Sequence, residues 1–185
     1  MSPIAASSTF AINYGTVLNG TTTLTLSGNL SIGASGVFSR STGSTTFSGT
    51  GTNTWTDSTA SKQDMGDVFI AGNSKTVQLG SDVRATNVVI NVGNTLDASG
   101  SGYGMTVLSN WTNGGTFSAQ TGTVTFAATT TGRTINPGTS SFYNLTFNGV
   151  AGNWAFSGAT TTVSNNLTVA TGTVTLPTAT TTVGG

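Results

Sequence analysis

All five acidic residues of the chain, Asp57, Asp64, Asp67, Asp82 and Asp97, fall in one stretch with three of its five cations, Lys62, Lys75 and Arg84. That is where chemistry would be sought first. A calcium ion takes several oxygen ligands, so Asp64, Asp67, Asp82 and Asp97 are the residues to consider. Their spacing is irregular, and no acidic Gly-rich repeat of the calcium-binding kind is present. A serine nucleophile would need Lys62 or Lys75 as its base. The chain has no His, no Cys and no Glu, so there is no carboxylate pair containing a glutamate and no His- or Cys-based nucleophile constellation. The sequence offers no catalytic, cofactor-binding or metal-ligating residue that can be named, and no cofactor is expected.

Three further residue sets recur with a pattern. The aromatics Phe38, Phe47, Trp55, Phe69, Phe117, Phe126, Phe147, Trp154 and Phe156 could form a carbohydrate-binding strip. They occupy alternate positions of short strands, so a core is expected instead; Trp111 and Tyr143 fall in no settled phase. Asn29, Asn87, Asn110, Asn144 and Asn166 open similar phrases and are expected to form side-chain amide ladders at a corner of the fold. Asn19, Asn29, Asn110, Asn144 and Asn166 also read as glycosylation sequons, which arise by chance in a Thr-rich chain. Thr-x-Thr occurs at 21–23, 23–25, 123–125, 129–131, 160–162 and 173–175. Stacked Thr pairs on a flat face could bind ice, but the spacing predicts pairs that skip coils, and Thr favours strands in any case.

The elements that would carry these residues are short β-strands. Between Asn144 and Leu176, apolar residues alternate with Thr, Ser, Asn or Ala at Leu145/Phe147, Trp154/Phe156, Leu167/Val169 and Val174/Leu176, with Gly, Asn and Ser between the runs. Period-two alternation broken by turn formers is the signature of half-buried strands. Only 5% of residues are charged and 35% are hydrophobic. Disordered chains are normally charged and poor in aromatic and β-branched residues, so an ordered all-β protein is expected. A net charge of +0 gives no electrostatic argument for nucleic acid or an anionic membrane, and no run is apolar enough for a membrane span. The opening MSPIAASSTF lacks the basic start and apolar centre of a signal peptide, so the chain reads as a mature segment or fragment of a secreted protein.

Two periods are nested. A phrase such as Asn144-Leu145-Thr146-Phe147 recurs near residues 9, 29, 46, 67, 87, 110, 124 and 166, about twenty residues apart. A fixed period of that size marks a solenoid, here a β-solenoid of about nine coils, expected to be a right-handed parallel β-helix. At about 4.8 Å per coil it would be a rod of roughly 40 Å. The longer period lays Leu24 on Met105, Phe38 on Phe117, Trp55 on Ile135, Val68/Ile70 on Leu145/Phe147 and Val88/Ile90 on Leu167/Val169. It divides the single domain, 1–185, into a partial copy at 9–23, copies at 24–104 and 105–182, and the start of another at 183–185. Residues 56–65 have few apolar side chains and are expected to form a longer loop.

The phrases N-L-T-[FV], G-T-V-T-[FL], F-Y-N-L-T-F and G-N-W together resemble bacterial cell-surface β-solenoid repeats, of the filamentous-haemagglutinin-like and autotransporter-passenger adhesin class. That resemblance implies a non-enzymatic extracellular structural or adhesive rod at the bacterial cell surface. A self-assembling subunit of an extracellular filament is the alternative, and a carbohydrate-binding or ice-binding module the third. The expected partners are the chain itself, through its terminal coils, and surface glycans or host matrix, with no nucleic acid and no membrane insertion.

Overall fold

A parallel strand must find its neighbour one crossover later, and here the crossover is a full circuit of the molecule. The computed structural model describes residues 4–158 and 160–185, which form an all-β solenoid of about nine turns with no helix. Residues 1–3, where the reading for a leader began, lie outside the described residues. Following one inward position upward gives the path of the chain. Ile4 pairs with Leu24, and the series continues through Thr45, Val68, Val88, Trp111 and Ile135 to Phe156. Successive coils are about 21 residues apart.

Each coil has three faces. The first carries Ile4–Ala6, Thr23–Leu26, Ser44–Phe47, Asp67–Ile70, Asn87–Ile90, Trp111–Asn113 and Arg133–Asn136. The second carries the leading parts of Phe10–Gly20 and Leu30–Arg40, then Gly51–Asp57, Lys75–Leu79, Thr95–Asp97 and Thr116–Ser118. It resumes at Thr160–Val163 and Thr180–Val183. The third carries the trailing parts of those first two long strands, then Val83–Ala85, Met105–Val107 and Thr123–Phe126. Two long strands, Asn144–Phe156 and Leu167–Thr175, each run on from the third face to the first, their mutual pairing shifting register around Asn148 at the corner. That is why the first and third faces belong to one twelve-stranded sheet. Gly172, with φ of 91°, makes such a corner possible: a Cβ there would stand 2.7 Å from the carbonyl of Gly152 and from the Trp154 ring.

Alternation decides what fills the interior. Leu24, Leu26, Leu30, Ile32, Val68, Ile70, Val77 and Val88 are fully buried, and the upper coils replace aliphatic by aromatic packing. Trp111 lies 4.9 Å from Phe117 and 5.6 Å from Phe142 between ring centroids, Phe126 stacks on Phe147 at 5.5 Å, and Phe147 meets Trp154 at 5.2 Å. Offset and edge-on pairs at these separations add to simple burial. Of the nine aromatics assigned to the core, eight are buried; Phe69 is not. In Asp67–Ile70 the inward positions belong to Val68 and Ile70, and Phe69 stands outside between Thr46 and Val89 of the adjoining coils. Strand phase outranks side-chain type. Trp111 is inside and Tyr143 half-buried.

The long sequence repeat and the coil do not share a phase. Leu24 opens the second coil on the first face, whereas its counterpart Met105 lies on the third face of the fifth coil. Val68 and Val88, on the first face, likewise match Leu145 and Leu167 on the third. Trp55, on the second, matches Ile135 on the first. One long copy therefore spans three turns and two faces, and the next copy repeats its sequence one face back.

Substitutions on a single strand pair test the inward phase. Phe147 and Trp154 are fully buried, and truncating either to Ala should cost roughly 3–5 kcal/mol. Thr146 points outward in the same strand, and Thr146→Ala should stay within about 0.5 kcal/mol. Chemical denaturation of the three variants measures this, and three equal effects would contradict the phase.

Candidate functional site

The tight corners of the solenoid give way to longer connections at one corner, between the second and third faces. In the third coil the chain leaves Gly51–Asp57 and returns to regular pairing only at Asp67–Ile70, the loop expected from residues 56–65. The buried Asp57 carboxylate organises it. Oδ1 accepts the Thr59 N–H at 2.9 Å and the Thr59 hydroxyl at 2.6 Å, and Oδ2 accepts the Gln63 N–H at 2.5 Å. Lys62 closes the loop by donating from Nζ to the carbonyls of Asp57 at 2.8 Å and Thr59 at 2.9 Å. Its far end is pinned by Arg40, which pairs with the Asp64 carboxylate and donates to Asp64 O at 3.0 Å and to the Thr86 hydroxyl at 2.6 Å.

Two coils higher, residues 98–104 make a second longer turn at the same corner, closed by Gly102 N–H to Ser99 O and Tyr103 N–H to Ala98 O. Between the two connections lies a groove of about 440 Å³ over the outer surface of the third face. Its walls carry Ala60, Lys62 and Asp82, and its floor Gly104, Thr106 and Thr125. Asp82 Oδ1 accepts the Gly104 N–H at 2.7 Å. A Cβ on Gly104 would stand 3.3 Å from Thr123 O and 3.4 Å from that carboxylate oxygen. No sequence motif announced this groove, because its parts come from four coils.

The remaining acids are dispersed. Asp67 accepts from Asn87 at 2.6 Å, and Asp97 accepts from Gln78, Gln120 and the Ser99 N–H. Among the described residues no three acidic side chains come together as a metal site.

Lys75 lies inside the solenoid, fully buried, and forms no salt bridge among the described residues. Its Nζ donates to Ser27 O at 3.1 Å, to Thr50 O at 3.0 Å and to Asn53 Oδ1, so the fourth coil is tied to the third and second. No serine hydroxyl is among these acceptors. Burial lowers its pKa from 10.5 by penalising the charged form. A polar corner surrounds it: Asn94 Oδ1 accepts the Lys75 N–H at 2.9 Å, and Asn53 donates to Asn29 at 3.2 Å.

The amide ladder lies at another corner. Asp67, Asn87 and Asn110 are joined through side chains at 2.6 and 3.0 Å, and Asn110 Oδ1 accepts the Thr134 N–H at 2.9 Å. Asn144 joins Asn165 rather than Asn166, at 2.8 Å. Asn29 belongs to the Lys75 corner.

Threonines stack more regularly than their spacing predicts. Thr52, Thr76, Thr95 and Thr116 occupy one outward column of the second face, and Thr106, Thr125, Thr146 and Thr168 one of the third. The pair Thr160/Thr162 lies directly under Thr180/Thr182 in the next coil, so the expectation that pairs skip coils fails there. Comparisons with protein-family models, curated proteins and solved structures found no match for this chain.

The Lys75 environment makes a pH prediction. The unfolded chain holds this proton up to about pH 10.4, while the folded chain releases it earlier. Between the two values the unfolded state binds more protons, so stability rises with pH across that window. Lys75→Met should remove this contribution. Denaturant melts of both proteins from neutral pH to pH 10 measure it, and identical slopes would contradict the assignment.

Proposed function

We propose that this chain is a non-enzymatic structural and adhesive rod, a segment of an extracellular β-solenoid protein of the bacterial cell surface. The observation that carries the reading is the continuous interior of a solenoid of about nine coils, in which inward positions of one coil stack on inward positions of the next. Such an array is stabilised by nearest-neighbour stacking, so length and rigidity grow together. The charged groups fit the same reading, since Asp57, Asp64, Arg40, Lys62 and Lys75 fix one coil or loop to another. The resemblance of the repeats to surface adhesins supplies the location.

A second reading, assembly into a filament, is favoured by the upper end of the stack. Leu167 and Val174 are only half-buried, and Val169, Leu176 and Val183 are exposed, at 52%, 46% and 48%. Leu167–Thr175 and Thr180–Val183 pair with strands on one side only. This is a stacking surface, whether what lies on it is further chain or a second copy, and no charged residue guards its edge.

Small-angle scattering with sedimentation at rising concentration tests both. The rod reading expects an elongated particle, with roughly 40 Å of stacked coils along its axis; a spherical profile would overturn it. Filament assembly expects the average mass to rise with concentration and to revert to the monomer's when Thr173 and Thr175 are replaced by Lys. Constant monomer mass would remove that second reading.

A further inference from the structure

A groove lies between residues 58–63 and 98–104, and the two long connections that form it stand at one corner with only the short turn of the fourth coil between them. We propose that it binds a single strand of a neutral polysaccharide of hexopyranose units, lying along the solenoid axis across the fourth, fifth and sixth coils. This deepens the adhesive part of the rod reading and rests on it.

The lining decides the ligand class. Asp82 offers a carboxylate oxygen that meets no donor among the described residues, its other oxygen being held by Gly104. Lys62 lines the same groove with two of its three N–H groups already donated to carbonyls. Thr106 and Thr125 are paired in adjacent coils, and no protein partner is found for either hydroxyl among the described residues. The floor thus presents donor–acceptor groups one coil apart, about 4.8 Å, close to the length of a sugar ring.

Other occupants fit less well. A nucleic acid or anionic glycan needs several cations, and here one partly satisfied ammonium shares the groove with one carboxylate. A protein partner needs an apolar or aromatic anchor in a pocket; among the described residues no aromatic lines this groove, and of its apolar residues Ala60, Val83 and Met105 the last two are buried in the core. A divalent cation needs more than one carboxylate. A neutral polyhydroxyl chain matches unpaired hydroxyls and a carboxylate that can accept from two neighbouring sugar hydroxyls.

Nuclear magnetic resonance titration of the whole chain tests this, with cellohexaose and chitohexaose as probes and polygalacturonate as the anionic control. At least one neutral hexasaccharide should shift the amides of Lys62, Asp82, Gly104, Thr106 and Thr125 at millimolar concentration. The near-isosteric double variant Thr106→Val, Thr125→Val, on the outer surface, should weaken that binding about tenfold while leaving the remaining spectrum in place. Asp82→Ala should weaken it comparably. The proposal is overturned if neither neutral probe shifts these amides, if polygalacturonate alone does so, or if the double variant binds as well as the parent. Any of these results together with an elongated scattering profile removes the groove and leaves the rod; a spherical profile removes the rod itself.

Discussion

The structure depends on one constraint: each backbone edge and each inward side chain must be matched by the coil directly above and below. Parallel pairing leaves no choice about partner, because the next strand on a face arrives only after a full circuit. The backbone ladder fixes the height of a coil, and the stacked side chains fix its width. A slot filled by Val68 is followed by Val88 and then Trp111, a change the stack accommodates by gathering Phe117, Phe126 and Phe142 around the larger ring. Close packing makes such exchanges collective, so the shift from aliphatic to aromatic interior spans several coils.

Many of the polar groups inside are served by the same rule, although the indole N–H groups of Trp55, Trp111 and Trp154 meet no hydrogen-bond partner among the described residues. The corners bring carbonyls and amides of successive coils into columns, and a buried polar group costs little when it is fully hydrogen-bonded. Lys75 is the extreme instance. An ammonium with no salt bridge among the described residues is tolerated because three oxygens from two lower coils converge on it. The Asp67–Asn87–Asn110 column solves the lesser problem of neutral and acidic side chains at a corner.

Much of this was legible in the sequence. Alternation at Leu145/Phe147 or Val88/Ile90 predicts strand and facing together, and the short period gives the coil. Phe69 was misplaced because a large aromatic was given the inward slot that its neighbours Val68 and Ile70 hold. Lys75 and the groove were invisible for another reason: their partners lie a coil or more away, and no local pattern encodes a distant carbonyl. The Asn ladder was half legible, since an amide at a phrase start marks a corner without saying which of three corners it is.

The offset between the long repeat and the coil has a geometric consequence. A segment copied in tandem normally returns to the same side of a solenoid, but this one comes back turned by a third of a revolution. Such copying is tolerated only because all three sides accept the same inward residues, so an insertion need not respect whole turns. In an array that continued the pattern, any feature belonging to the long unit would wind around the axis as a spiral stair, one side per roughly 18 Å of rise. Three units would pass before it faced the same way again. A rod built like this presents its markings to every direction in turn, and cannot lay them all against a single flat surface.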